Sequence, residues 1–300
     1  MLGLMILGFA IISTDKFLSG DNLKTLLSQG AGLAIVSAGL TLVLVSWDFD
    51  LSVGAMATLA GLVVAILLDH EYSVVVAIGL TLLLGAVVGL INGLIVSRLG
   101  VSAFIATLAM LTILGGLGNW WTDSKAIPVT NLDFLSIDIT KVLGIPLPAV
   151  IAIGVFVVLW ILLERTKVGR MLYAVGANPN AAYIAGVRVK TLRTLAFTGS
   201  AMFAALAGIL LTSKLSGGYH SAGDPYLLNA FAAVFLGAVT LRIGQFHILG
   251  TAVGILILTI LANGLDTLST PSYVTQIITG VILIAAVSLA SLSRSGTKGL

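Results

Sequence analysis

Residues 73–96 read SVVVAIGLTLLLGAVVGLINGLIV, a run of 24 residues without a charge. A helix needs about 20 such residues to cross the hydrocarbon core of a bilayer. The whole chain has this character, because 58% of its 300 residues are hydrophobic and only 9% are charged. Soluble domains carry roughly 25% charged residues. The sequence therefore predicts a protein that crosses a membrane several times, and it excludes a water-soluble domain.

Similar apolar runs recur along the chain. Their approximate limits are 1–13, 29–46, 51–68, 73–96, 101–118, 147–163, 194–211, 228–240, 248–263 and 273–290. We predict an all-α, polytopic transmembrane helical bundle of about ten spans, with both termini in the cytoplasm and a single transmembrane domain over 1–300. Residues 1–13 are interpreted as the end of a first span, since they lack the basic flank and cleavage site of a signal peptide.

The distribution of charge supports this orientation. The loops that would lie inside hold ten basic and three acidic residues, whereas those outside hold five basic and nine acidic residues. An excess of Lys and Arg marks the cytoplasmic side of membrane proteins. Six of the ten basic residues lie in one loop, 164–193, with the single acid Glu164. We therefore place loop 164–193 in the cytoplasm.

Within loop 164–193, the segment Asn178-Pro179-Asn180-Ala181-Ala182 predicts the start of a helix. Asn is favoured at the N-cap, Pro suits the first helical position, and Gly186 can end the helix in a left-handed conformation. A short capped helix in an aqueous loop has little reason to form unless another protein packs against it. The pattern therefore indicates a docking site.

No pattern typical of an enzyme is present in the sequence. The histidines His70, His220 and His247 lie far apart, and there is no H-E-x-x-H, no G-x-S-x-G and no G-x-x-x-x-G-K-[ST] phosphate loop. Cysteine is absent, which excludes disulfides and thiolate metal sites. We predict that the chain is not an enzyme, holds no metal and no cofactor of its own, and binds no nucleic acid.

The segment WDFDLSVG at 47–54 places two carboxylates, Asp48 and Asp50, between two apolar runs. We interpret Asp50 or Ser52 as the cap of the helix that follows. The alternative is a position beside a water-filled path, where irregular backbone is tolerated at membrane depth. The polar residues within or at the ends of the spans likewise have two possible roles, which are hydrogen bonding between helices and contact with a solute. These residues are Asn92, Thr107, Ser200 and Asn263.

Two of the runs share a pattern of small residues, which comprises Gly85, Gly89 and Asn92-Gly93-Leu94 in the fourth run and Gly250, Gly254 and Asn263-Gly264-Leu265 in the ninth. Runs five spans apart cross the membrane in opposite directions, as an inverted duplication requires. Glycines four residues apart also predict close helix packing. An inverted duplication favours an alternative function, that of a stand-alone secondary transporter for a small solute.

A further set of motifs points to a family. In chain order they are DLSVG at 50–54, FIATL at 104–108, RTxxGR at 165–170, AxGxNxxAAxxxG at 174–186, NAFAAV at 229–234, GTxxG at 250–254 and NGL at 263–265. In their order and spacing, over about residues 20–290, they resemble the permease subunits of bacterial ABC importers for ribose-type simple sugars.

The resemblance implies a function and a set of partners. A permease of this kind translocates a small polar solute, a monosaccharide or a related polyol, across the bacterial inner membrane. Its partners would be the lipid bilayer, a second permease copy in a homodimer or heterodimer, a cytoplasmic ABC ATPase that binds the ATP, and a solute-binding protein on the outer face. That solute-binding protein would carry most of the selectivity for the solute.

The resemblance also implies roles for particular residues. In this family, the loop at 164–193 forms the coupling helix that seats on the ATPase, and small side chains there would let the ATPase approach closely. The role of ATPase coupling is thereby transferred to Gly169, Arg170, Gly176, Asn178, Ala181, Ala182 and Gly186. Our candidates for the translocation path are Asp50, Ser52, Asn92, Phe104, Thr107 and Asn263.

Overall fold

The computed structural model describes residues 17–242 and 244–296, together with Gly3, Met5, Phe9 and Ile11. Most of the predicted first span, 1–13, therefore lies outside the described residues. Helices account for most of the described chain. In order they are α1 (Gly20–Val45), α2 (Val53–Asp69), α3 (Val74–Ser97), α4 (Ala103–Thr122), α5 (Leu132–Ile139), α6 (Leu147–Trp160), α7 (Lys167–Ala177), α8 (Pro179–Ile184), α9 (Val189–Leu215), α10 (Asp224–Ala238), α11 (Ile248–Thr267) and α12 (Ser272–Gly296).

Nine of these helices coincide, in order, with the nine apolar runs predicted between residues 29 and 290. Within the described residues, α1, α3, α4, α9, α11 and α6 with its continuation to Arg165 are long and apolar enough to cross a membrane. The helices α2 and α10 and the segment Ser272–Ser288 of α12 are apolar but shorter. The prediction of an all-α, polytopic bundle is confirmed.

The segment between α4 and α6 contains structure that was not predicted. Helix α5 begins where Asn131 Oδ1 accepts a hydrogen bond from Phe134 N at 3.1 Å, and the Phe134 ring is fully buried. Ser213 Oγ, on α9, donates to Phe134 O at 2.9 Å. Two pairs of two-residue strands accompany α5: β1 (Ile127–Pro128) pairs with β4 (Gly217–Gly218), and β2 (Lys141–Val142) pairs with β3 (Ile145–Pro146).

Helix α9 lies at the centre of the bundle and contacts α1, α2 and α3 extensively. Small residues allow this approach, because a Cβ added at Gly89 of α3 would lie 2.5 Å from Phe197 O, and one at Gly93 would lie 2.6 Å from Thr194 Cα. Helices in a bilayer are not driven together by the hydrophobic effect, so close packing of this kind must hold them. The close packing predicted for Gly85, Gly89 and Gly93 is therefore confirmed, and we refer to these three residues of α3 as the glycine ridge.

The contacts between helices repeat in the two halves of the chain. Helix α3 contacts α9 and α2, and α11, five spans later, contacts the corresponding helices α1 and α10. In the same way, α2 contacts α4, and α10 contacts α12. This pairwise correspondence is what the predicted inverted duplication requires.

The ridge yields a stability prediction. Replacement of Gly89 by Leu forces the backbones of α3 and α9 apart, because the added Cβ meets main-chain atoms of α9. We expect a loss of about 1–3 kcal/mol or more, typical of overpacking, measured as a lower melting temperature of the purified protein in mild detergent. The matched control is Gly79→Leu, on the same helix, where an added Cβ meets nothing within 4 Å. Equal melting temperatures for the two variants would contradict the role of the ridge.

Candidate translocation site and docking loop

The connection between α1 and α2 carries a network of buried polar side chains. Asp50 Oδ1 accepts hydrogen bonds from Ser52 N at 3.0 Å and Ser52 Oγ at 2.6 Å. Asp50 Oδ2 accepts one from Ser200 Oγ of α9 at 3.0 Å. Asn92 Nδ2, on α3, donates to Ser52 Oγ at 3.0 Å. These four side chains are fully buried, so the network ties the connection to the interior faces of α3 and α9.

Helix α4 joins the same network through Thr107. The hydroxyl oxygen of Thr107 accepts a hydrogen bond from Leu51 N at 3.0 Å and lies 2.8 Å from Ala103 O, to which it donates. A break between two helices leaves backbone groups without partners, and in a membrane protein they must be satisfied by other protein groups. Thr107 and Asp50 serve this purpose for the N–H groups of Leu51 and Ser52.

The predicted cap of α2 is wrong. Ser52 occupies the N-cap position, but its hydroxyl makes no capping bond and donates to Asp50 instead. Asp50 accepts from the N–H of Ser52, which precedes the first helical residue, so Asp50 does not cap the helix either. Ser52 accepts a hydrogen bond from Asn92, which is 40 residues away in sequence, and Asp50 accepts one from Ser200, which is 150 residues away.

An aromatic cavity of about 590 Å³ lies against the α1–α2 connection. Phe49 stacks on Phe231 of α10 with ring centroids 6.2 Å apart, and Phe235 meets Phe246 edge to face at 5.1 Å. Phe104 of α4, which is 54% exposed, completes this wall. Of the six path candidates, Phe104 alone lines the aromatic cavity; Asp50, Ser52, Asn92 and Thr107 lie behind its wall in the buried network.

Asn263 lies apart from the other path candidates. Its side-chain amide pairs with that of Asn22 on α1, through Asn22 Nδ2 to Asn263 Oδ1 at 2.8 Å and Asn263 Nδ2 to Asn22 Oδ1 at 3.0 Å. Both donors and both acceptors of the pair are used within the protein. The pair joins α11 to α1, so the structure does not bring Asn263 together with the Asp50 network.

A second cavity, of about 290 Å³, lies between the first half of α2, the second half of α4 and the start of α10. Its polar wall comprises Thr58 of α2, Asn119 of α4, and His220, Ser221 and Asp224 at the start of α10. Leucines and glycines form the remainder of the wall. We refer to this space as the polar cavity. Helices α4 and α10 border both cavities: the polar cavity adjoins the second half of α4 and the start of α10, whereas the aromatic cavity adjoins the start of α4 and the rest of α10. The sequence alone did not reveal the polar cavity, because its residues are spread over more than 160 positions.

The capped helix predicted in loop 164–193 is present as α8. Asn178 Oδ1 accepts hydrogen bonds from Asn180 N at 3.1 Å and Ala181 N at 3.0 Å. Gly186 has a φ of +82°, and Val187 N donates to Ala182 O at 3.0 Å, which closes a Schellman motif. Both predicted ends of the helix are therefore confirmed.

The seven residues assigned to coupling fall into two groups by their position. Gly169, Gly176 and Ala182 face the body of the protein: Ala182 is 5% exposed, and Gly176 packs beneath Val45 O and the Trp47 ring. The other four, Arg170, Asn178, Ala181 and Gly186, are exposed. The expectation that Ala182 offers its side chain to a partner is therefore corrected, since that side chain packs inward.

Two residues that the sequence analysis overlooked dominate the outer surface of α8. The side chains of Tyr183 and Ile184 are 73% and 86% exposed. Large apolar side chains are seldom left in water within an otherwise basic loop unless they contact a partner. Their position directly after Ala181 and Ala182 was the only hint in the sequence that they belong to the docking surface. The face of α8 on which each residue lies depends on how the helix packs.

Ion pairs fasten both ends of loop 164–193. Arg193 binds the carboxylate of Asp48 through two guanidinium nitrogens, with Nε 2.6 Å from Oδ2. Arg242 binds Glu164 through nitrogens 3.0 and 2.9 Å from its two carboxylate oxygens. Burial and the Glu164 carboxylate raise the pKa of Tyr173, so its hydroxyl stays protonated and donates to Glu164 at 3.3 Å. The loop is thus held to the α1–α2 and α10–α11 connections.

Comparison with known proteins assigns this chain to a class. Residues 22–287 match the family described as branched-chain amino acid transport system / permease component. The chain is 38% identical to the ribose import permease protein of Haemophilus influenzae, over 99% of this chain and 93% of that protein. It is 38% identical to the ribose import permease protein of Bacillus subtilis, over 96% of this chain and 90% of that protein. No solved structure matches the chain.

The chain belongs to this family of transport permeases, since the match covers most of its length. It is a multi-pass permease component of the bacterial cytoplasmic membrane and not an enzyme. The family resemblance found in the sequence is confirmed by the identities of 36–38% with ribose import permeases. Among the described residues, no group of three or more His, Cys, Asp or Glu side chains is placed to hold a metal ion.

The buried network yields a second prediction. Ser200→Ala removes one of the donors to Asp50 and leaves a carboxylate oxygen without that bond. We expect a loss of about 1–3 kcal/mol, the range for a buried polar group left unsatisfied, detected as a lower melting temperature in detergent. The control is Thr198→Ala on the same helix, whose hydroxyl donates only to Thr194 O, one turn earlier. A destabilisation no greater than that of the control would show that the bond to Asp50 is unimportant.

Proposed function

We propose that this permease moves a monosaccharide or related polyol of the ribose type, as one subunit of an ABC importer. The observation that carries the proposal is the 36–38% identity, over nearly the whole chain, to proteins named as ribose import permeases. Other relatives are named for D-allose and L-arabinose. In this proposal, a cytoplasmic ATPase binds the ATP, an external binding protein delivers the sugar, and a second permease copy completes the path through the lipid bilayer.

The wall of the polar cavity favours a sugar over the amino acids in the family's description. A free amino acid carries a carboxylate, which is bound most strongly by charged donors such as Arg or Lys. The residues that line the polar cavity include Asp224, His220 and Asn119, but neither Lys nor Arg. Carboxylate, imidazole and amide groups suit neutral hydroxyls, which both donate and accept.

The proposed orientation has ten spans and both termini in the cytoplasm. It is supported by the nine apolar helices and by the excess of Lys and Arg in loop 164–193. In this orientation, α7 and α8 face the ATPase and the polar cavity opens to the outside. The whole chain then forms one transmembrane permease domain.

The proposed translocation path runs from the polar cavity to the aromatic cavity, between α2, α4 and α10. Phe104 lines it directly. Asp50, Ser52, Asn92 and Thr107 act on the path by holding Phe49 and Leu51 in its wall, since their hydrogen bonds fix the connection that carries those two residues. Asn263 contributes through the packing of α11 on α1.

In the proposed coupling mechanism, α8 is the surface that seats on the ATPase. Arg170, Ala181, Tyr183 and Ile184 would contact it, and Asn178 and Gly186 would set the two ends of the helix. Gly169, Gly176 and Ala182 would keep α7 and α8 close to the body of the permease. Movement would pass from Gly176 to Trp47 and then to the aromatic cavity, provided that the ATPase binds one state of the permease more tightly than the other.

The experiment that tests this function is uptake of radiolabelled D-ribose into proteoliposomes that contain the permease, its genomic-neighbour ATPase and the binding protein. We expect uptake that requires ATP and each of the three proteins, with the sugar recovered unmodified. Uptake by the permease alone, driven by an ion gradient, would instead establish the stand-alone secondary transporter, which the repeated helix contacts also suit.

The docking surface yields a third prediction. Ile184→Asp places a charge at the most exposed apolar position of α8 and should abolish co-purification of the ATPase and sugar uptake. Membrane insertion should be unaffected, because the Ile184 side chain makes little contact with the rest of the chain. The control is Leu143→Asp, since Leu143 is 98% exposed and lies in the segment between α4 and α6, at the other end of the bundle. Retention of the ATPase by the Ile184 variant would remove α8 as the docking surface.

A further inference from the structure

The polar cavity contains side-chain groups that the protein itself leaves unused. Asp224 Oδ1 accepts a hydrogen bond from Thr58 Oγ1 at 3.2 Å, but its second oxygen has no partner among the described residues. The side chains of Asn119 and Ser221 also bond to no other described residue. Asp224, Asn119 and Ser221 are exposed to solvent, so these polar groups, which come from separate elements, are available to a solute that enters the cavity.

The geometry also determines what His220 presents to the polar cavity. Thr122 Oγ1 lies 2.8 Å from Gly118 O, to which it donates its only proton. It must therefore accept from His220 Nε2, which is 2.7 Å away. In the neutral imidazole the proton then resides on Nε2, which also lies 3.2 Å from Lys125 O, and Nδ1 is an acceptor with no partner among the described residues. His220 thus offers an acceptor in addition to those of Asp224.

The remaining wall of the polar cavity is apolar and open. Leu62, Leu111, Leu114 and Leu227 supply C–H groups, while Gly115 leaves a space that an added Cβ would enter without meeting any atom within 4 Å. The volume of about 290 Å³ lies just below the range for small-molecule sites, roughly 300–1,000 Å³, and so suits a small solute. The lining thus offers both hydrogen-bond partners for hydroxyl groups and apolar contacts for C–H groups, and a small sugar carries both.

The polar cavity is also close to the aromatic cavity. On α10, Leu227 lines the first and Leu228 the second. On α4, Leu111 and Phe104 are seven residues apart, a rise of roughly 10 Å. Gly54, at the start of α2, lies close to α10, since a Cβ added there would lie 3.2 Å from Leu227 Cβ.

We propose that the polar cavity is a monosaccharide-binding site of the permease itself, which receives the sugar before it passes between α2, α4 and α10. Asp224 and His220 accept hydrogen bonds from sugar hydroxyls, and Asn119 both donates and accepts. The inference rests on the proposed function and adds to it, because the permease then contributes its own selectivity to that of the external binding protein.

The first test fills the polar cavity. In the reconstituted transporter with its ATPase and binding protein, Gly115→Leu should lower D-ribose uptake at least about tenfold while co-purification of the ATPase is unchanged. The matched control is Gly116→Leu, the next residue of α4, where an added Cβ also meets nothing within 4 Å but which does not line the cavity. Its uptake should stay within about twofold of the wild type. Equal uptake by the two variants would overturn the site.

The second test separates recognition from simple blockage. D-ribose and singly deoxygenated riboses are compared in the wild type and in Asp224→Asn. The same binding protein is present throughout, so its contribution to selectivity is equal in the two proteins. If Asp224 accepts a sugar hydroxyl, the wild type should discriminate against one deoxy sugar about tenfold more strongly than Asp224→Asn does. Asp133→Asn, an exposed acid in the first turn of α5, is the control and should discriminate like the wild type.

The outcomes distinguish this inference from the function on which it rests. Unchanged discrimination in Asp224→Asn, and in Asn119→Ala should the first variant fail to insert, would overturn the binding site while leaving the importer intact. A wild-type transporter that takes up no sugar would remove the proposed function, and the proposed site with it.

Discussion

The centre of this permease depends on a buried carboxylate at a break between two helices. Such a break leaves backbone N–H groups without helical partners, and in the interior of a membrane protein other protein groups must bond them. Asp50 accepts a hydrogen bond from the N–H of Ser52, and Thr107 of α4 accepts one from the N–H of Leu51. Asp50 also accepts a hydrogen bond from Ser200 of α9. The network thereby fixes this irregular segment and holds Phe49 and Leu51 against the aromatic cavity.

Around this point, the packing relies on close approach rather than on hydrophobic burial. The glycines of α3 let α9 lie against its backbone, and Gly254 of α11 brings α11 against Ala233 of α10. Such contacts leave no room for relative adjustment, because a single added methyl group would meet main-chain atoms. Helices packed in this way move as units, which suits a protein whose proposed path lies between groups of helices.

Loop 164–193 is attached to the same centre. Gly176 packs under the end of α1 and the Trp47 ring, and Arg193 binds Asp48 two residues before Asp50. Contact at one face of the loop and an ion pair at its end connect the exposed helix α8 to the α1–α2 connection. A displacement of α8 by a docked protein would therefore reach the wall of the aromatic cavity through packed groups rather than through a flexible linker.

The sequence by itself determined the features that are local. The nine apolar helices, the ends of α8 at Asn178 and Gly186, and the glycine ridge on α3 each follow from the length of an apolar run or from residues within a few positions of one another. Only the tertiary structure decided that Ala182 faces inward while Ile184 faces out, that Ser52 bonds Asp50 rather than capping α2, and that Asn119, His220 and Asp224 share one cavity. These facts depend on which helix faces meet across 40 to more than 150 residues, and no local pattern specifies such a meeting.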